Sequence, residues 1–360
     1  MPESSNSVAA KAEKRSAPAG IPPLARYLAI RLGVTALLML GVTLVTFILT
    51  NLVPADPVQA ALGEQAAANP EIVAQFRENA GLDKPLPVQY FTYLGHLFQG
   101  DLGTSTQTRT SVATELGKAF PATIELAVGA ILISAIIGIG LGLWAALRQR
   151  TFVDQIIRVV SLIGLSVPAF WMALLVYFIF FFQLRLFPGS GRLDPAAIAP
   201  PHVTGLYTVD SLLAGQWATF GDAVYHLVLP ASVLALYTIG LLTRFSRSAI
   251  LEVLDADYVR GARAKGLTGR TVVLKYVLRG ALVPIITVLG IAFGSLLSGT
   301  VLVEKVYSWH GLGEYAFSSA TKLDLPAIMG VGLVVGIVYI GLNFIVDIAY
   351  GFIDPRVRAA

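Results

Sequence analysis

The stretch ATIELAVGAILISAIIGIGLGLWAAL, residues 122–147, carries a single charge, Glu125. A helix that crosses a bilayer needs about 20 consecutive apolar residues. Lipid offers backbone N–H and C=O groups no partner, and a helix satisfies them internally. Residues 122–147 meet that requirement, and the chain is read from them as an all-α membrane protein. Five more segments follow on either side: 28–52 before, then 159–182, 226–242, 281–303 and 325–352 after. The segment 226–242 is the shortest and contains Pro230. Composition agrees, with 55% hydrophobic and 13% charged residues, where soluble domains carry about 25% charged. There is no cysteine, which excludes disulfides, thiolate metal sites and cysteine nucleophiles.

The net charge is +4, and its placement is more informative than its sum. With the N-terminus inside, the inner segments hold Lys11, Lys14, Arg15, Arg26, Arg31, Arg148, Arg150, Arg158, Arg244, Arg247, Arg260, Arg263, Lys265, Arg270, Lys275, Arg279, Arg356 and Arg358. The outer segments hold only Arg77, Lys84, Arg109, Lys118, Arg185, Arg192, Lys305 and Lys322. The positive-inside rule then puts both termini in the cytoplasm. Asp56, Glu64, Glu71, Glu78, Asp83 and Asp101 gather outside. The first 24 residues are rich in Ala, Ser, Lys, Glu and Pro and lack an apolar core, so they read as a disordered tail rather than a signal peptide. The expected organisation is a cytoplasmic tail at 1–25, the first span with an extracytoplasmic subdomain at 26–118, a transmembrane domain at 119–351 and a cytoplasmic tail at 352–360. Within the subdomain, 69–81 reads as an amphipathic helix, with Pro70 early, Ile72, Val73 and Phe76 apolar and Gly81 at its end. The outer segment 185–225, rich in Pro and Gly, reads as loop.

The inner loop 243–282 carries the most information. Asp257 suits the cap of a helix beginning at Tyr258, where its carboxylate accepts from unpaired backbone N–H groups. Lys265 sits in the last turn, where positive charge favours the dipole, and Gly266 suits the left-handed residue that ends a helix. Two turns are too few to be stable alone in water, so something must dock against them. Residues 271–283 then read as an interfacial helix, with Val272, Val273, Tyr276 and Val277 on one face, entering the membrane at Pro284.

The string Ala262-Arg263-Ala264-Lys265-Gly266-Leu267 resembles the B-type permease subunits of dipeptide, oligopeptide and nickel ABC importers. The resemblance runs from about Arg26 to Arg358. It includes Pro54-Ala55-Asp56-Pro57, Gly81-Leu82-Asp83-Lys84-Pro85, Gly100-Asp101-Leu102-Gly103 and Pro121-Ala122-Thr123-Ile124-Glu125-Leu126. It continues in Ser166-Val167-Pro168-Ala169-Phe170-Trp171, Arg247-Ser248, Gly311-Leu312-Gly313, then Asp347, Tyr350, Gly351 and Asp354-Pro355-Arg356. Ala55, His310 and Gly280 depart from it, standing where Gly, Pro and Asn are usual. The resemblance implies the type I ABC importer permease fold. It also implies a coupling helix seated in a cleft of an ATP-binding subunit, using Asp257, Tyr258, Arg260, Ala262, Arg263, Ala264, Lys265, Gly266 and Leu267. The implied partners are a homologous second permease, two ATP-binding subunits and an extracytoplasmic substrate-binding protein, in the bacterial cytoplasmic (inner) membrane, with no nucleic acid. Short peptides are the implied cargo, with nickel, glutathione and oligosaccharides as the alternatives.

Other chemistries are poorly represented. The one Gly-Lys pair, Gly117-Lys118, is followed by Ala119 and has Val112 where a phosphate loop needs its first Gly. The chain therefore carries no such ATP site, no cofactor is expected in it, and energy comes from a partner. Gly164-Leu165-Ser166 with His226 faintly suggests an intramembrane serine protease, but small-residue helix packing explains the same residues. Glu125 and Asp347 are acids in or near apolar runs, read as paired structurally rather than as proton carriers. Gly138, Gly140 and Gly142 point to close helix contact, and the aromatic run 177–182 to a lipid or core face. An ion-driven secondary transporter predicts internal repeats and mid-membrane charges, and neither stands out.

Overall fold

The computed structural model describes residues 23–52, 68–79 and 81–353. The tail at 1–22, the Pro54-Ala55-Asp56-Pro57 string and Asp354-Pro355-Arg356 lie outside the described residues, as does the side chain of Asp347. The described chain runs α1 (Pro23–Leu52), α2 (Pro70–Asn79), α3 (Leu86–Phe98), α4 (Val112–Leu147), α5 (Phe152–Ser166) and α6 (Ala169–Val176), the last continued by a wide π turn over Tyr177–Gln183. Then come α7 (Tyr207–Leu213), α8 (Trp217–Leu254), α9 (Asp257–Ala264), α10 (Leu278–Gly299), α11 (Val301–Val306), α12 (Leu312–Thr321) and α13 (Leu325–Ile353). Four helices are long and apolar enough to cross a membrane, α5 with α6 adds a bent fifth, and α1 supplies a further apolar stretch at Leu32–Ile48.

The expected third span at 159–182 is not one rod: its two halves meet at 103°. Val167 is extended at φ −86°, ψ 129°, because Pro168 bars the helical conformation from the residue before it. The fourth span, expected to be shortest, is the longest helix among the described residues, with 38 residues and Pro230 inside. At 1.5 Å per residue it reaches about 57 Å, past a hydrocarbon core of about 30 Å. Hydropathy located its apolar middle, while the polar ends continue the same hydrogen-bond ladder. The outer segment 185–225 is likewise only partly loop, since it contains α7 and the start of α8. The helix expected at 69–81 forms as α2, with the Asn69 side chain accepting from Glu71 N–H at 3.0 Å and Gly81 at φ +66° beyond its end.

Helix α8 is the spine, packed against α4, α5, α7 and α10. A Cβ at Gly138 would lie 3.2 Å from the Ile239 carbonyl oxygen, and one at Gly142 would lie 2.9 Å from that of Thr243. These glycines bring the α4 and α8 backbones together, as small residues do between membrane helices. Gly140 faces open space and takes no part in this seam, because two residues along, more than half a helical turn, carry it off the α8 face. Of the aromatic run, Tyr177 and Phe180 pack on the central core, whereas Phe178 and Phe182 are exposed.

At the end of the bundle away from α9, buried polar contacts lock the loops. Glu125 pairs with Arg192 at 2.6 Å and accepts from the Thr208 N–H and hydroxyl at 2.7 Å each. Glu304 is fully buried and accepts from the Thr123 hydroxyl at 2.6 Å and Glu314 N–H at 2.9 Å. Gly311 and Gly313 leave the room that the Glu304 carboxylate occupies. Trp309 adds an indole N–H to the Ala122 carbonyl at 2.8 Å.

Candidate coupling helix and its seat

Helix α9 begins one residue earlier than expected. Ala256 is the cap, Asp257 is the first helical residue, and the Asp257 side chain caps nothing. The first turn is instead closed by the Ala256 carbonyl, which accepts from Val259 N–H at 3.0 Å and Arg260 N–H at 3.2 Å. The Asp257 carboxylate pairs with Arg260 one turn on, and its negative charge still suits the helix N-terminus. The far end matches the sequence reading. Gly266 adopts φ +76°, its N–H donates to Arg263 O at 2.9 Å, and Leu267 N–H donates to Ala262 O at 3.4 Å. This is the paired 5→2 and 6→1 closure that glycine permits at a helix end.

The helix has two faces. Val259 and Ala262 are buried, in one cluster with Ile250 of α8, Val272, Val277, and Ala281 and Ile285 of α10. The docking that two isolated turns need is thus supplied by the chain itself. Asp257, Tyr258, Arg260, Arg263, Ala264, Lys265, Gly266 and Leu267 are all exposed. Of the nine residues predicted for the site, Ala262 alone faces inward. Arg270, Lys275 and Arg279 extend the exposed basic surface.

Two neighbours seat α9. Tyr258 reaches back over α10, where its hydroxyl lies against Gly280, and a Cβ at that position would collide with it and stand 3.0 Å from Val253 of α8. The departure to Gly at 280 thus has a local physical reason. After Gly266 the Thr268 hydroxyl accepts from Thr271 N–H at 3.4 Å and starts the next helix. That helix runs through a π turn at Val272–Val277 into α10 without a break, and Pro284 lies inside α10 rather than at an entry point. The π turn brings residues five apart onto one face, so Val272 and Val277 are buried while Tyr276, expected with them, is exposed.

The apolar middle of the bundle holds a groove of about 350 Å³, lined among others by Met172, Tyr237, Thr238, Ile291, Ser295 and Leu296. Its walls are the α5–α6 bend, α8 and α10. The last two are the helices that hold α9 at one end.

The family model for "Binding-protein-dependent transport system inner membrane component" matches residues 138–359, and the model for the N-terminal part of such components matches residues 24–127. The chain belongs to this family. Binding-protein-dependent inner membrane components are transport permeases, not enzymes. Among curated relatives, the probable D,D-dipeptide transport system permease protein DdpB of Escherichia coli is 46% identical over 89% of this chain and 94% of its own length. The di/tripeptide transport system permease protein DppB of Pseudomonas aeruginosa is 43% identical over 92% of this chain and 98% of its own. The dipeptide transport system permease protein DppB of Haemophilus influenzae is 41% identical, covering 89% and 95%. A solved structure of inward-facing conformations of the MetNI methionine ABC transporter is similar at a TM-score of 0.48 and 13% identity, covering 65% of this chain and 93% of that one. The family assignment rests on the sequence matches.

In this permease the Ser166 hydroxyl donates to the Leu162 carbonyl at 2.9 Å, and the His226 ring faces Asp222. Among the described residues no hydrogen bond joins Ser166 to His226, as a serine nucleophile and its base require. Sequence reasoning missed Glu304, Arg192 and Asp154. Glu304 had the only visible signal, an acid at the rim of an apolar run beside the glycines at 311 and 313. Arg192 sits in the Pro- and Gly-rich segment read as loop, and its partner Glu125 lies 67 residues away.

Proposed function

We propose that this permease forms half of a translocation pathway for short peptides and receives its drive through α9. The observation that carries the proposal is the two-faced α9. Its inner face is fixed to the ends of α8 and α10, and its outer face offers a basic, unburied surface. An ATP-binding subunit seated there pulls on α9 when nucleotide closes it against its twin. The pull passes through Val259 and Ala262 to α8 and α10, whose midsections wall the groove. Rigid helices switching between two packings couple distant sites in this manner. ATP stays on the partner subunits, and this chain holds no cofactor. A homologous second permease completes the pathway, and an extracytoplasmic binding protein delivers the cargo to the face formed by 26–118 and the Glu125–Arg192 lock. The basic excess at 243–282 supports a cytoplasmic position for this loop and for both termini.

Peptide cargo is supported by the names of the relatives, which are di- and tripeptide permeases. The half-exposed Tyr237 in the groove wall also offers its hydroxyl to peptide amides. The test is uptake into vesicles holding the whole complex, with labelled dipeptide competed by unlabelled peptides, chelated nickel, glutathione or oligosaccharide. Competition by peptides alone is expected. Competition by one of the others and not by peptides reassigns the cargo.

A further inference from the structure

A second polar site lies at the inner end of the bundle, where α5 and α8 diverge. A cleft of about 230 Å³ is lined by Arg158, Leu162, Leu165, Thr243, Arg244 and Arg247, with Ser161 at its wall. Two of the three guanidiniums approach one carboxylate, that of Asp154. Arg247 spends its fork on Asp154, at 2.7 and 2.8 Å, while Arg158 approaches the same carboxylate only at 3.7 Å. Arg244 is exposed and, among the described residues, has no acidic partner. Thr243 is 2% exposed, and its hydroxyl has no hydrogen-bond partner in the protein. Two guanidiniums with donors to spare and a buried hydroxyl without an acceptor line the same cleft.

We propose that this cleft binds the phosphate of an anionic phospholipid in the leaflet facing α9. Guanidinium forks match phosphate oxygens in pairs, and Arg158 and Arg244 are placed to supply them. The Thr243 hydroxyl gives a further donor. Thr243 follows directly on Leu242, the end of the apolar stretch 226–242, which sets the cleft at headgroup depth. Leu162, 54% exposed, and Leu165 continue from it along the apolar part of α5, offering acyl chains a surface. Inorganic phosphate shares the oxyanion chemistry but has nothing to lay on those leucines. Basic clefts between membrane helices select anionic headgroups on this principle.

The test is native mass spectrometry of the full chain with its co-purified partner subunits. It uses added phosphatidylglycerol, phosphatidylcholine of matched chains, or millimolar inorganic phosphate. Retention of phosphatidylglycerol over phosphatidylcholine is expected. Near an anionic headgroup each arginine accounts for roughly a fivefold effect, so Arg244→Gln lowers retention about fivefold and Arg158→Gln with Arg244→Gln about 30-fold. The exposed, unpaired Arg244 makes the single variant safe for folding, and Arg158→Lys with Arg244→Lys retains lipid. Equal retention of both lipids, or unchanged retention in the glutamine variants, overturns the proposal. Full displacement by inorganic phosphate overturns the lipid source and leaves a phosphate site. Lipid adducts are read without transport, so failure here leaves the coupling role of α9 standing, and failure of that role leaves this result intact.

Discussion

The contact between Tyr258 and Gly280 shows how one missing side chain sets the seat of α9. Gly280→Ala places a methyl group where the tyrosine hydroxyl lies and close to Val253, and such overpacking costs about 1–3 kcal/mol. Uptake by the complex is expected to fall while ATP hydrolysis persists. Adding Tyr258→Phe, which removes the colliding oxygen, restores part of it, and a double variant no better than the single contradicts the contact. Glu125 offers a second test. Arg192 is 10% exposed and also stacks over the Tyr207 ring at 3.8 Å. Glu125→Gln leaves that arginine buried without its counter-charge and is expected to cost about 3–5 kcal/mol, read as a lower Tm of the purified protein. A normal Tm with loss of a proton-gradient dependence that the parent chain's uptake shows makes Glu125 a proton carrier instead. At this scale the sequence was uneven. Gly266 was legible because its backbone requirement is local. The Glu125–Arg192 and Glu304–Thr123 partnerships were not, because they join residues 67 and 181 positions apart.

Among the elements, α9 is sharply defined by its closure at Gly266, where a β-carbon is strained at φ +76°. Gly266→Ala is expected to weaken the helix end by about 1 kcal/mol and to raise hydrogen exchange in 257–267, with the rest of the fold unchanged. Gly266→Pro also removes the N–H given to Arg263, and uncouples ATP hydrolysis from uptake. Unaltered uptake by this variant contradicts the coupling role. The loop around α7 depends on Asp210, whose carboxylate accepts from Val203, Thr204 and Gly205. Burial pushes this carboxyl up, but those hydrogen bonds outweigh it and hold it below the usual carboxylate range. A depressed folded value gives stability that is complete above the unfolded value, near 3.9, and lost as pH falls through the folded one. The loop should therefore resist proteolysis down to about pH 4. Asp210→Ala, which leaves buried donors unpaired, should open it at neutral pH at a cost of about 1–3 kcal/mol. Equal protease resistance of this variant and the parent chain contradicts the assignment. Hydropathy found the apolar elements, yet it missed the break at Pro168 and the reach of α8. It weighs side chains in a window, and these features depend on a proline's steric demand and on a backbone ladder indifferent to polarity.

Across the whole molecule the arrangement links an exposed basic helix at one end to a groove in the middle through two continuous helices, α8 and α10. The other end is closed by the buried Glu125–Arg192 pair and by the hydrogen bonds to buried Glu304. The fold class and the position of α9 could be read from sequence because apolar length and the string 262–267 are both linear signals. The groove could not, since Met172, Thr238 and Ser295 come together only when the bend, α8 and α10 pack. The central claim is that the outer face of α9 is where an ATP-binding subunit sits. With no native cysteine in the chain, a single Arg263→Cys gives an unambiguous attachment point for a short bifunctional cross-linker in membranes holding the whole complex. A product joining this permease to an ATP-binding subunit, absent when the cysteine is placed at Val203 near the opposite end, is the predicted result. Failure of the residue 263 variant to cross-link under conditions where the Val203 position does would contradict it.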